Sequence, residues 1–175
     1  MSFTPSTKTL EAVPIKKQHN WVVAGIDYSS LCVDIVLLSA YDVSEPTAFR
    51  FPLKGKGSFD RTRQIGQLLP DRKASFWDDV VAIGIEEPAG KGIHYQTRVQ
   101  GAILSMIPSE KLVWPWYPHE WKRLVGLPGN ATKAEIVEHA TPLLRALGRK
   151  WSVETVGQDC FDAFLIAAAT RDSVS

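Results

Sequence analysis

Two near-continuous apolar runs, each ending in glycine, isoleucine and an acid, constrain this chain more than any other feature. Trp21-Val-Val-Ala-Gly-Ile26 leads into Asp27, and Val80-Val-Ala-Ile-Gly-Ile85 leads into Glu86. Runs of this kind read as strands buried on both faces. Residues 32–40 read as a second strand pairing with the first as a hairpin, and 47–53 as a third after the Ser44-Glu45-Pro46 turn. Lys54-Gly55-Lys56-Gly57 breaks the pattern, and Ser58 stands where it can cap a helix over 59–69 with Ile65, Leu68 and Leu69 on one face. A helix crossing over between two buried strands makes those strands parallel. Helices over 93–107, 131–147 and 157–170, with a fifth strand over 111–116, complete the order β-β-β-α-β-α-β-α-α. The last helix is apolar nearly all round and is expected to pack on the sheet. The fold class is α/β: a mixed five-stranded sheet flanked by helices.

The 175 residues are 45% hydrophobic, enough for one core without disulfides or metal staples. Cys32 and Cys160 lie far apart without metal-ligand spacing, so reduced thiols in a cytoplasmic protein are expected and a structural zinc is not. No apolar stretch reaches the ~18 residues of a membrane span, and residues 1–20 lack the apolar core of a signal peptide. Those twenty residues hold Lys8, Lys16 and Lys17 against Glu11 and read as a flexible basic arm. Residues 21–175 read as a single domain without internal repeats.

The acids carry the chemistry. Asp27 and Glu86 each stand two residues after a glycine, so acid and glycine share a strand face, and the glycine leaves room for a ligand or a closely packed helix. Alternation sends Glu87 to the opposite face. Asp159 and Asp162, three apart, share one face of the last helix in its first turn, where the helix dipole favours negative charge. If the four converge, their repulsion calls for hard divalent cations, with Mg²⁺ the usual choice where phosphate completes the coordination. Setting these four aside leaves 15 acids to 20 Lys and Arg, an excess suited to a polyanion. Taken singly, Asp27 also reads as a turn residue and Asp159 as a helix cap. Asp34, in an apolar strand with no glycine beside it, reads as structural or edge-facing.

With these residues in hand, the chain resembles the RuvC-like Holliday junction resolvases of the RNase H-like superfamily, over nearly everything after the arm. Gly25-Ile26-Asp27 is similar to the family's first motif, Ile85-Glu86 to its second, and Asp159-x-x-Asp162-Ala163 to its C-terminal pair. Trp121-Lys122-Arg123-Leu-Val-Gly126-x-x-Gly129-Asn-Ala-Thr-Lys133 resembles a family segment in which two lysines stand eleven apart around a glycine loop. The resemblance implies an RNase H-like nuclease domain and a homodimer cutting four-way DNA junctions by paired nicks. It implies that Asp27, Glu86, Asp159 and Asp162 hold two Mg²⁺ about 4 Å apart, with Mn²⁺ able to substitute. Lys133 would be catalytic, and Lys122 and Lys133 would face phosphates, joined in DNA binding by Lys54, Lys56 and Lys91. The pattern departs at Tyr28-Ser29, where bacterial members have Pro-Gly, and at Pro88-Ala89-Gly90, where they place a junction-probing aromatic. Phage-type relatives look like the closer comparison, which would put the protein in a host cytoplasm.

Other readings remain open at this level. Lys54-Gly55-Lys56-Gly57 reads either as a phosphate cradle or as a solvated turn, and Trp114, Trp116, Tyr117 and Trp121 as base-stacking or packing residues. Gly25-Ile26-Asp27-Tyr28-Ser29-Ser30 is also similar to the first phosphate motif of actin-like ATPases, which need two such domains. A nuclease acting on flaps, RNA or hybrids would carry the same acids. A non-catalytic junction-binding protein would be expected to lack one of them, and all four are present. A dimer interface is expected on the 93–107 helix, where Ile103, Met106 and Ile107 offer apolar surface.

Overall fold

The computed structural model describes residues 21–40, 44–55, 57–68, 76–90 and 92–174. The basic arm, Lys56, Leu69 and Lys91 lie outside the described residues. Strands β1 (Val22–Tyr28), β2 (Cys32–Ser39) and β3 (Thr47–Pro52) form an antiparallel meander. Helix α1 (Ser58–Leu68) carries the chain across to β4 (Val80–Glu86), which lies parallel to β1. After α2 (Ile93–Leu104), β5 (Leu112–Trp116) adds parallel to β4. The sheet order is β3-β2-β1-β4-β5, a mixed five-stranded sheet as the hydrophobic pattern implies.

Four helices follow, two of them the long helices that the periodicity implies and two too short for it to show. Helix α3 (Pro118–Leu124) and the single turn α5 (Val153–Val156) have too few residues for a periodic signal. Helix α4 (Lys133–Ala146) starts two residues later than its apolar pattern because Thr132 and Glu135 form a reciprocal cap, the Thr132 amide donating to Glu135 Oε2 at 2.6 Å. Helix α6 (Asp159–Val174) is buried continuously from Cys160 to Thr170. Among the described residues no helix is long and apolar enough to cross a membrane.

Helix α6 lies across β1, β2 and β4, and the glycines make this approach possible. A Cβ on Gly25 would collide with the Ala163 carbonyl and come within 2.9 Å of Ala167 Cα; one on Gly84 would meet the Thr170 hydroxyl and stand 2.9 Å from Ile166 Cγ2. Of the two uses for these glycines, the helix takes the space. On the opposite face α1 and α2 cover Ala24, Ile26, Ile35, Ile83 and Ile85. Ile103, Met106 and Ile107 belong to this second core and are buried within the chain, so the expectation that they offer spare surface for a partner is wrong. On α2 the exposed large apolar residues are Ile93 and Leu104.

Candidate active site

Parallel register puts Gly25 beside Gly84 and Ile26 beside Ile85, so the two acid-bearing strand ends emerge side by side. The first turn of α6 points at the same place. Carboxylate oxygens of Asp27, Asp159 and Asp162 lie within 4.8 Å of one another. Lys133, the first residue of α4, places its ammonium 2.8 Å from Asp159 Oδ1 and 2.9 Å from Asp162 Oδ2. Gln158 fixes the two helix starts together by donating to the Lys133 carbonyl at 3.1 Å. Glu86 adjoins this triad and is oriented by Trp121, whose indole N–H donates to Oε2 at 3.0 Å from a fully buried ring. The Tyr28 hydroxyl donates to the Glu86 carbonyl at 3.0 Å.

The charges are in tension. Burial, then the charges of Glu86 and Asp162, push the Asp27 carboxyl well above the usual carboxylate range. Burial also raises Glu86 and Asp162, against the opposing pull of the Trp121 hydrogen bond on the first and of Lys133 on the second. Asp159 is desolvated too, but hydrogen bonding and charge from Lys133 hold its carboxyl below the usual range. Lys133 is likewise disfavoured by burial, yet Asp162 and Asp27 outweigh this and raise it above an ordinary lysine. Three converging oxygen donors whose anionic forms repel one another suit a hard divalent cation, so the residues fit the ion that the acid pattern implies.

The remaining sequence candidates divide. Lys122 donates to the Ala131 carbonyl at 3.0 Å and lies 5.5 Å over the Trp121 ring, so it braces the glycine loop while its charge pulls Glu86 and Asp162 down. Lys54 is exposed, its backbone N–H donating to Gln64 Oε1 at 2.8 Å. Trp121 is a core residue gripping Glu86, and Trp116 donates to the Thr170 hydroxyl at 3.0 Å, both on the packing side of the two readings; Tyr117 is exposed and stacks on His119 at 5.9 Å. Asp34 is structural but does not face an edge: β2 is an inner strand and the side chain has no solvent exposure. Burial raises its carboxyl while thiol hydrogen bonds and Arg50 oppose the rise, and burial pushes the Cys32 thiol up to about 12. The indole of Trp121 and the contacts of Asp34 are what sequence reasoning missed.

The sheet order, the crossing helix α6 and the acids at the strand ends define an RNase H-like fold. Its counterparts among solved structures include RuvC and a Holliday junction resolvase. Thermus thermophilus RuvC superposes with a TM-score of 0.60 at 18% identity, over 85% of this chain and 93% of that one. T. thermophilus RuvC in complex with a Holliday junction substrate gives 0.61 at 17% identity, over 85% and 91%. The yeast mitochondrial Holliday junction resolvase Ydc2 gives 0.57 at 12%, over 87% and 79%. No family model and no curated protein sequence matches the chain.

Proposed function

We propose that this protein is a structure-selective endonuclease that resolves four-way DNA junctions by metal-dependent paired nicking, acting as a homodimer in the cytoplasm. The observation that carries this reading is the convergence of Asp27, Asp159 and Asp162 around the ammonium of Lys133, with Glu86 adjoining, on a fold shared with a RuvC that is known in complex with a Holliday junction. Asp27, Glu86, Asp159 and Asp162 would hold two Mg²⁺, or Mn²⁺ in their place. Bound there, the metal supplies an activated water and charge stabilisation at the leaving 3′-oxygen.

The chain's own residues do the rest. Trp121 holds Glu86 in one orientation, and the charge of Lys122 opposes part of the burial-driven rise of Glu86 and Asp162. The Lys133 side chain is 57% exposed while its ammonium rests on the acids, so it can turn from them to a phosphate and stabilise charge in the transition state. Lys54, Lys56, Lys91 and Lys122 supply further phosphate contacts. Two-fold symmetry of the junction is matched by a symmetric dimer.

The test is cleavage of a labelled four-way junction with and without Mg²⁺, beside a flap, an RNA–DNA hybrid and the Asp162→Asn variant. Paired nicks in the junction alone, abolished without Mg²⁺ and in the variant, are expected. Preferential cutting of the flap or hybrid would replace this reading with a different nuclease. A light-scattering mass of one chain at micromolar concentration, with junction cleavage intact, would remove the dimer.

A further inference from the structure

Behind Asp159, away from Lys133, a second group of polar side chains runs unbroken from β3 to α6. Strand register sets Asp34 opposite Arg50 on one side and opposite Asp27 on the other, so Asp34 stands between the sheet edge and the acids. Both oxygens of the wholly buried Asp34 carboxylate accept from thiols, Oδ1 from Cys160 at 3.0 Å and Oδ2 from Cys32 at 3.1 Å. Arg50 Nε stands 3.8 Å from Oδ1. The same guanidinium donates through Nη1 to the Val156 carbonyl at 2.9 Å and through Nη2 to the Cys32 sulfur at 3.3 Å. It fits because residue 157 is glycine, with φ +83°; a Cβ there would lie 2.5 Å from Arg50 Cζ. The group ends at the acids: Cys32 Sγ lies 3.5 Å from Asp159 Oδ2, and Cys160 is the next residue in the helix.

Stability alone does not account for this arrangement, since an apolar residue in place of Asp34 would fill the space without desolvating a carboxylate. Its geometric effect is specific. Lys133 holds Asp159 Oδ1, the Cys32 sulfur stands 3.5 Å from Oδ2 with its one proton shared between that oxygen and the nearer Asp34 Oδ2, and Arg50 ties the turn before α6 to the sheet.

We propose that Arg50, Asp34, Cys32 and Cys160 are positioning residues that fix the start of α6 and the Asp159 carboxylate, preforming the site for a divalent cation. None of the four needs to touch substrate. The proposal rests on the metal-site reading above. Outer partners of this kind carry a 10- to 100-fold share of metal affinity in well-studied sites.

Mn²⁺ binding to the full chain without DNA, followed by the electron paramagnetic resonance of free Mn²⁺, tests it. Cys32→Ala should weaken binding about threefold or more, whereas Cys32→Ser, which keeps a donor, should stay within about twofold. Arg50→Lys, whose single ammonium cannot serve the same acceptors, should weaken it about tenfold. Arg149→Lys, on the remote pair with Glu45, should leave it unchanged. In junction cleavage the loss should appear as a higher half-saturating Mn²⁺ concentration, with the maximal rate regained at saturation. Unchanged Mn²⁺ affinity in Cys32→Ala would overturn the proposal and leave the group as packing, even if Arg50→Lys fails to fold. A wild-type chain that binds no Mn²⁺ at millimolar concentration would overturn the metal site itself and this proposal with it.

Discussion

The two faces of the central sheet use the same strands for opposite ends. Along β1, Ala24, Ile26 and Tyr28 join the core under α1 and α2, whereas Val23, Gly25 and Asp27 turn to α6. Along β2, Val33 and Ile35 go one way and Asp34 and Val36 the other. Among the described residues the three buried acids, Asp27, Asp34 and Asp162, all belong to the α6 side; the other face buries Gln100, which donates to the Glu86 carbonyl at 3.4 Å. Both faces bury apolar area, the α6 side under Trp121, Phe161 and Phe164, but among the described residues only the α6 side buries acids as well. The lesson is that a sheet with apolar cores on both faces can hold desolvated carboxylates in tension on one of them without losing the fold.

Substitutions that cross this division should have the largest effects. Asp162→Asn or Glu86→Gln should reduce junction cleavage by more than the roughly 100-fold typical of losing an outer metal partner, while Glu87→Gln stays near wild type in single-turnover assays. Gly25→Ala should cost upwards of about 1–3 kcal/mol in chemical denaturation, because its methyl meets helix backbone. Gly101→Ala, on α2 with nothing within 4 Å, should instead stabilise by roughly 0.5–1 kcal/mol. If both glycines respond alike, α6 does not seat on Gly25 as described.

Subtler contrasts concern charge on the α6 side. Lys133 and a divalent ion draw on the same carboxylate oxygens, so Lys133→Ala should bind Mn²⁺ a few-fold more tightly without DNA and yet cut more slowly at saturating DNA. Equal affinity with equal rate would reduce the lysine to a surface ion pair. Proton linkage gives the smallest effect. Asp27, Glu86 and Asp162 have carboxyls raised on folding, so the folded chain holds their protons more tightly and their contribution is greatest below the ordinary carboxylate range. That contribution is lost as pH rises through their elevated values, while lowered Asp159 works the other way. With a chelator present, the wild-type melting temperature should therefore fall more steeply with pH over that window than that of Asp27→Asn. Matching slopes would show that neither burial nor its neighbours raise the Asp27 carboxyl on folding.

Much of this division is legible in the sequence. The Gly-Ile-acid endings follow from two-residue alternation, and the parallel crossover brings them side by side, so Asp27 and Glu86 follow from pattern and topology together. Asp162, an acid in an otherwise apolar helix, announces its need for a partner; that the partner is Lys133 depends on where α4 begins, set by the Thr132 and Glu135 cap. The contacts of Asp34 could not be read, because Arg50 reaches it through cross-strand register and passes a gap left by Gly157, over 100 residues away. The grip of Trp121 on Glu86 was hidden for a related reason: aromatic residues at the start of a short helix look the same whether they face solvent or core. The spare surface expected at Ile103 and Ile107 failed because sequence counts apolar residues without showing how much sheet they must cover.

The close seating of α6 on Gly25 also sets the order in which the molecule can be made. Ala163, the helix residue against that glycine, is translated about 140 residues after it. At 5–20 residues per second, the meander waits on the order of ten seconds for the helix that covers it. Through that interval the uncovered side of the sheet carries Asp27 and Asp34 directly opposite each other on β1 and β2. Two neighbouring carboxylates in water are ionised and mutually repelling, a poor template for another nascent strand or sheet to stack against. The acids that become costly once the helix docks therefore keep the unfinished sheet apart from other chains, and the late docking of α6 couples completion of the core to assembly of the carboxylate cluster.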